Sequence, residues 1–222
     1  ASPLARSEWG RIIALVLLCA LNISYWGVYE QQGNSMQAWA DTSTNWPIIL
    51  GFQVPSAWYQ SMNPFMIFML APLLDMAWRW QAKRGTEPDT VTKMAIGSLL
   101  LGLSFIVMVI GAKQIGEGTG SVWWLVGCVF ILTIGELYLS PIGLSLVTKA
   151  SPKRMISMMM GMWFLSSFFG GYFAGYIGTW YDDMPKEQFF MALSAIGFVT
   201  GLAMWAFKRP LHSALKHDEV KQ

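Results

Sequence analysis

Long apolar stretches separated by short polar connections dominate the chain. An α-helix needs about 20 mostly apolar residues to cross a bilayer. Six windows reach this length, and they run near residues 9–37, 57–80, 91–112, 121–149, 155–180 and 187–207. None shows the alternation over about ten residues that is typical of a membrane β-strand. The pattern therefore predicts an all-α integral membrane protein in which residues 1–222 form a single bundle of six transmembrane helices.

The basic residues predict how this bundle lies in the membrane. Cytoplasmic connections of membrane proteins carry an excess of Lys and Arg. If both termini are cytoplasmic, 13 of the 15 basic residues fall in the inner segments 1–11, 79–93, 149–154 and 208–222. The outer connections keep only Lys113 and Lys186. We therefore expect both termini to be cytoplasmic and the protein to lie in a bacterial inner (plasma) membrane.

Composition excludes several classes of function. The chain is 54% hydrophobic and only 13% charged, whereas soluble domains carry about 25% charged residues. The polar residues are too few to cover a water-soluble enzyme. Both cysteines lie in apolar runs, both histidines lie near the C-terminus, and no cluster has metal-ligand spacing. We expect no enzymatic activity, no metal or organic cofactor and no nucleic-acid partner, whereas membrane lipid is an expected partner.

Three acidic residues lie deep inside the predicted spans: Glu30, Asp75 and Glu136. No Lys or Arg lies deep in any span. Ionisable residues in a membrane usually face a cavity or a partner, and an unpaired buried charge is costly. We therefore expect the two glutamates either to carry a proton or to pair with a group outside this chain, such as a partner domain or a substrate amine.

The first span places a tryptophan beside a carboxylate. Asn22, Trp26, Glu30 and Gly33 are spaced by four, four and three residues, so they share one helical face. An aromatic ring one turn from a carboxylate suits a cationic amine, through a cation–π contact and an ion pair. The alternative for Glu30 is a structural polar patch that joins helices.

The fourth span carries a set of hydrogen-bond acceptors. Glu136, Ser140 and Gly143 share one face, and Pro141 leaves the carbonyl of Leu137 without its usual donor. An ammonium group has three donors and no acceptor, so it fits such a pocket. The alternative is a structural carboxyl group that burial keeps neutral.

Two further spans carry candidate cavity residues. Asn63 precedes Pro64, whose ring leaves a freed carbonyl on the preceding turn. Freed groups of this kind line cavities in transporters, but proline kinks also occur in ordinary membrane helices. On the fifth span, Trp163 and Ser167 share a face. Trp163 is either a cavity wall or an anchor at the lipid interface.

Four motifs resemble the proton-dependent oligopeptide transporter (POT) family of the major facilitator superfamily. They occur in the expected order on the expected spans, and the likeness extends from about Arg11 to Phe207. The motifs are Tyr29–Ser35 for the seventh helix of the family, Gln60–Pro64 for the eighth, Gly135–Leu144 for the tenth and Gly161–Leu165 for the eleventh. The chain thus resembles the C-terminal half of a major facilitator fold, in which two six-helix halves enclose a central cavity.

The resemblance implies a function for the chain and roles for its residues. It implies one half of a secondary active transporter that takes up di- and tripeptides together with protons by alternating access, with the N-terminal half missing here. Glu136 would bind the peptide amino terminus, with Ser140 beside it, and Asn63 would hydrogen-bond the peptide. Trp26, Trp163 and Ser167 would line side-chain pockets. Glu30 would pair with a basic residue of the missing half and take part in proton coupling.

The segment 71–84 resembles the inner-loop motif of the same fold in a degraded form. Asp75 and Arg79 keep its charges, but Ala71 replaces its glycine. The two charged residues are four positions apart, so they form either a gating element or a local charge pair that steadies the inner turn. Two other readings of the whole chain stay open: a major facilitator transporter of another small solute, and a non-transporting membrane scaffold.

Overall fold

The computed structural model describes residues 6–208, and most of them are helical. Six helices have at least 21 residues: α1 (Arg6–Tyr29), α3 (Tyr59–Lys83), α4 (Thr90–Ile115), α5 (Trp123–Ala150), α6 (Ile156–Gly178) and α8 (Lys186–Ala206). Two helices are short: α2 (Ser35–Thr42) and α7 (Trp180–Asp183). This arrangement confirms the prediction of a mainly α-helical protein.

Within residues 6–208, four segments are long and apolar enough to cross a membrane: Glu8–Thr42, Thr90–Ile115, Trp123–Ala150 and Lys186–Ala206. Helices α3 and α6 have the length of a span, but they fall outside this set. Helix α3 contains two prolines and α6 is rich in glycine and serine. Of the six long helices, α3 is the least apolar.

The predicted first span is interrupted in the structure. Helix α1 ends at Tyr29, a 3-10 turn covers Glu30–Gln32, and α2 begins at Ser35. Asn34, between them, lies outside the helical region of backbone space. Glycine and asparagine are poor helix formers, so Gly33 and Asn34 separate this turn from α2. The predicted window 9–37 thus falls within the apolar segment Glu8–Thr42, but its helix is broken after Tyr29.

Helices α4, α5 and α8 form the most tightly packed part of the bundle. Ser98 donates a hydrogen bond to the carbonyl of Gly197 (3.1 Å), and Ser194 donates one to the carbonyl of Gly102 (2.8 Å). A Cβ atom at Gly97 would lie only 2.6 Å from a carbonyl oxygen of α5. Small residues let membrane helices approach in this way.

Helix α6 packs against α1 on another side. The side chain of Asn22 donates a hydrogen bond to Ser166 Oγ (2.8 Å), and both residues are buried. The backbone of α1 at Trp26 lies against Gly170, where any side chain on α6 would collide with it. This contact fixes the face of α1 that carries the candidate residues.

Four two-residue strands join loops at one end of the bundle. Strand β1 (Thr44–Asn45) pairs in parallel with β4 (Gly120–Ser121), and β2 (Ile48–Ile49) forms a hairpin with β3 (Phe52–Gln53). The β1–β4 pair holds the connection after α2 beside the connection between α4 and α5. The ends of these helices therefore lie together.

Candidate functional site

A hydrogen bond joins the two residues that the sequence analysis placed on separate spans, Asn63 and Glu136. Asn63 Nδ2 donates to Glu136 Oε2 (3.0 Å) and to Thr133 Oγ1 (3.1 Å). Asn63 is buried on α3, directly before Pro64, and Thr133 lies one turn before Glu136 on α5. The structure thus brings an amide and a carboxylate together between α3 and α5.

An aromatic cluster at the end of α1 forms a second wall of the site. The hydroxyl of Tyr29 interacts with the Glu136 carboxylate. The ring of Tyr29 stacks on Tyr25 (centroids 6.0 Å apart) and meets Trp26 edge-on (5.0 Å). Sequence reasoning identified Trp26 but missed Tyr29, although its spacing of four from Tyr25 was a usable signal.

Glu30 lies in the 3-10 turn that follows α1, and it is exposed on the surface of this chain. Its charge is close enough to that of Glu136 for the two carboxylates to interact. Within residues 6–208, neither glutamate forms an ion pair with a Lys, Arg or His. Neither carboxylate thus has a neutralising cation from the described part of the chain.

Trp163 is buried between α5 and α6. It is only 2% exposed, and its ring lies so close to Gly143 that a side chain there would collide with it. A tryptophan this deeply packed is not an anchor at the lipid interface. Ser167 and Ser140 are half-buried, and the serine that contacts α1 is Ser166, the neighbour of the predicted residue.

Asp75 and Arg79 form an ion pair on the exposed surface of α3. They are one turn apart on the same helix, as their spacing predicts. Both charged groups are at least half exposed, and exposed pairs contribute little to stability. Within residues 6–208, no cluster of three Cys, His, Asp or Glu side chains could hold a metal ion.

Comparison with known proteins decides the family. The sequence pattern named "PTR2: POT family" matches residues 6–198. The chain belongs to the POT family. The family resemblance drawn from the four motifs is therefore confirmed.

Relatives in the family carry names of peptide transporters, not enzymes. The peptide transporter YePEPT of Yersinia enterocolitica is 36% identical over 180 residues, which cover 80% of this chain and 35% of that protein. A di-/tripeptide transporter of Lactococcus lactis subsp. cremoris is 30% identical, over 92% of this chain and 41% of that protein. The chain therefore spans well under half the length of these relatives.

Solved structures of family members share the fold. A peptide transporter POT in complex with sulfate superposes with a TM-score of 0.86 at 30% identity, over 96% of this chain and 42% of that one. A POT family transporter in complex with 5-aminolevulinic acid gives a TM-score of 0.85 at 27% identity, over 95% and 44%. Together with the apolar helices, these matches identify the chain as an integral membrane protein.

Proposed function

We propose that this chain is the C-terminal half of a transporter that takes up di- and tripeptides together with protons. The observation that carries the proposal is the Glu136 carboxylate, which Asn63 holds beside the aromatic wall of α1 without a basic partner in the described residues. The names of the relatives support peptides as the substrate. An N-terminal half, absent from this chain, completes the central cavity.

Glu136 receives the amino terminus of the peptide. Its carboxylate accepts the hydrogen bonds of an ammonium group and neutralises its charge. The contacts of Asn63 use only its Nδ2 atom, so its amide oxygen is available to accept a backbone N–H of the peptide. Trp26 offers a ring face next to this position, and Ser140 and Ser167 extend the lining toward the peptide side chains. Trp163, which is buried between α5 and α6, supports this lining from inside the bundle.

Glu30 couples transport to the proton gradient. When ionised, it pairs with a basic residue of the N-terminal half and stabilises one state of the gate. Protonation breaks the pair and lets the halves move, so the proton biases a two-state equilibrium. The membrane potential adds about 2.3 kcal/mol per charge per 100 mV. Replacing Glu30 by Gln should abolish the pH dependence of uptake, and an unchanged pH dependence would refute this role.

The membrane arrangement is also part of the proposal. All six long helices cross the membrane, α3 and α6 included, and both termini lie on the cytoplasmic side of a bacterial inner membrane. The distribution of Lys and Arg supports this orientation. Asp75 and Arg79 then lie at the cytoplasmic end of α3, where their ion pair steadies the inner loop.

The test uses the full-length transporter that contains this half, in liposomes. Labelled dialanine uptake is followed under an inward proton gradient for the parent, for Glu136→Gln and for Glu117→Gln. Glu117 lies in an exposed connection, so it controls for the chemical change itself. We expect uptake by the parent and by the control but not by Glu136→Gln. Uptake by Glu136→Gln would contradict the assignment of the amine site to Glu136. Absence of uptake by the parent would favour a transporter of another solute or a membrane scaffold.

A further inference from the structure

A cavity of about 310 Å³ lies between α4 and α8. It shares no residue with the site around Glu136. Its lining is almost entirely apolar and consists of Thr92, Ala95, Ile96, Leu99, Leu202 and Trp205. The hydroxyl of Thr92 already donates a hydrogen bond to Asp89 (2.8 Å). The groove therefore offers shape and apolar surface but very little hydrogen bonding.

The groove results from uneven packing of the two helices. They touch closely at Gly102 and Gly197, where a Cβ atom would lie within 3.0 Å of the opposite backbone. Nearer the start of α4, the small side chain of Ala95 does not fill the space toward α8. Leu202 and Trp205 are 55% and 58% exposed, so the groove opens on the outer surface of the bundle.

The medium around the protein determines what fills this groove. Water does not occupy an apolar cavity that offers it few hydrogen-bonding partners, and an empty groove forfeits dispersion contacts with its lining. Helices α4 and α8 both belong to the segments that are long and apolar enough to cross a membrane. The apolar material next to the groove is therefore the acyl chain of a lipid.

A charged pair closes one end of the groove. Lys208 Nζ lies 2.7 Å from Asp89 Oδ2, and the pair bridges the end of α8 and the residue that caps α4. Lys208 follows the end of α8 by two positions, and its contact with Asp89 places it at the end of the groove that Thr92 and Trp205 line. A lysine ammonium has three donors, so the contact with Asp89 leaves Lys208 able to bind a phosphate oxygen as well.

We propose that the groove between α4 and α8 binds one glycerophospholipid, with an acyl chain along Ala95, Leu99 and Leu202 and the phosphodiester at Lys208. Trp205 lies at the same end, at the depth where tryptophans favour the boundary between headgroups and acyl chains. In the orientation proposed above, the lipid comes from the cytoplasmic leaflet. The site does not depend on peptide transport, so its test can fail independently.

The test measures lipid binding to the full-length transporter, purified in detergent and freed of lipid. Native mass spectrometry counts bound dioleoyl phosphatidylglycerol, phosphatidylethanolamine and diacylglycerol. Leu202→Trp fills the mouth of the groove, and Leu103→Trp makes the same change at another exposed leucine of the bundle. Because both leucines are exposed, neither change disturbs the core.

We expect the parent and Leu103→Trp to bind one phospholipid of either headgroup. Leu202→Trp should bind it about tenfold more weakly, which corresponds to lost contact with about two methylene groups. Lys208→Gln should weaken binding of both phospholipids without changing binding of diacylglycerol, which lacks the phosphate. Equal binding by the two tryptophan variants would refute the groove as the lipid site. Equal binding of diacylglycerol and phospholipid by the parent would refute Lys208 as the phosphate site.

Discussion

Replacing Asn63 by Ala removes the amide that holds the Glu136 carboxylate. The bond from Nδ2 to Oε2 measures 3.0 Å, and it joins a neutral donor to an acid that must be ionised to bind an ammonium group. A hydrogen bond to a charged group contributes about 1.5–3 kcal/mol. Each 1.4 kcal/mol corresponds to about tenfold in affinity. Asn63→Ala also removes the amide oxygen that we propose accepts from the peptide, and we therefore expect it to weaken dialanine binding by at least about 10- to 100-fold.

Isothermal titration calorimetry of the purified full-length transporter measures this loss. Thr133→Val is the matched control, because it removes the other acceptor of Asn63 (3.1 Å) and leaves the bond to Glu136 in place. Its affinity for dialanine should stay close to that of the parent. If Thr133→Val weakens binding as much as Asn63→Ala does, the bond to Glu136 is not the cause. Unchanged binding by Asn63→Ala would also refute the reasoning.

Three further predictions concern stability, and melting of the full-length protein measures each of them. Partial burial raises the pKa of Asp89, but hydrogen bonds from Lys208 and from its own helix lower it from 3.8 to about 2. The stability that ionised Asp89 contributes is complete above about pH 4 and is lost as the pH falls to about 2. The melting temperature of Asp89→Asn should therefore fall less than that of the parent over this pH range. An equal fall would contradict the role of Asp89. Gly197→Ala should lower the free energy of unfolding by about 1–3 kcal/mol, because the new Cβ atom would lie 2.7 Å from the backbone of α4. Gly161→Ala is the control: its Cβ atom meets nothing within 4 Å, so this variant should melt like the parent. Trp163→Ala should cost about 3–5 kcal/mol through the cavity it leaves, and a melting temperature equal to that of the parent would show that the ring is not packed as described.

The helices could be predicted from the sequence, because runs of apolar residues longer than 20 have few other structures available in a membrane. The break after Tyr29 was missed because apolar residues resume at Met36, although the run from Glu30 to Ser35 is polar and the backbone turns at Gly33 and Asn34. The motifs identified Asn63 and Glu136 one by one. Their hydrogen bond depends on how α3 packs against α5, and the periodicity of a single helix carries no information about that packing.

The burial of Trp163 shows the same limit. Its spacing places it on one face of α6, but only the approach of Gly143 on α5 shows that this face is covered. The role of Tyr29 likewise depends on the distance between α1 and α5. The groove between α4 and α8 also could not be predicted from the sequence, because it comes from the space that small residues leave between two helices.

The low apolarity of α3 has a consequence for how the protein is made. The helix carries two prolines and the buried amide of Asn63, and such groups oppose release of a segment from the translocon into lipid. The partners that satisfy this amide, Thr133 and Glu136, are synthesised 70 and 73 residues later. In the membrane arrangement proposed above, stable insertion of α3 waits for α5, and the carboxamide of Asn63 delays the assembly of the helix that carries it.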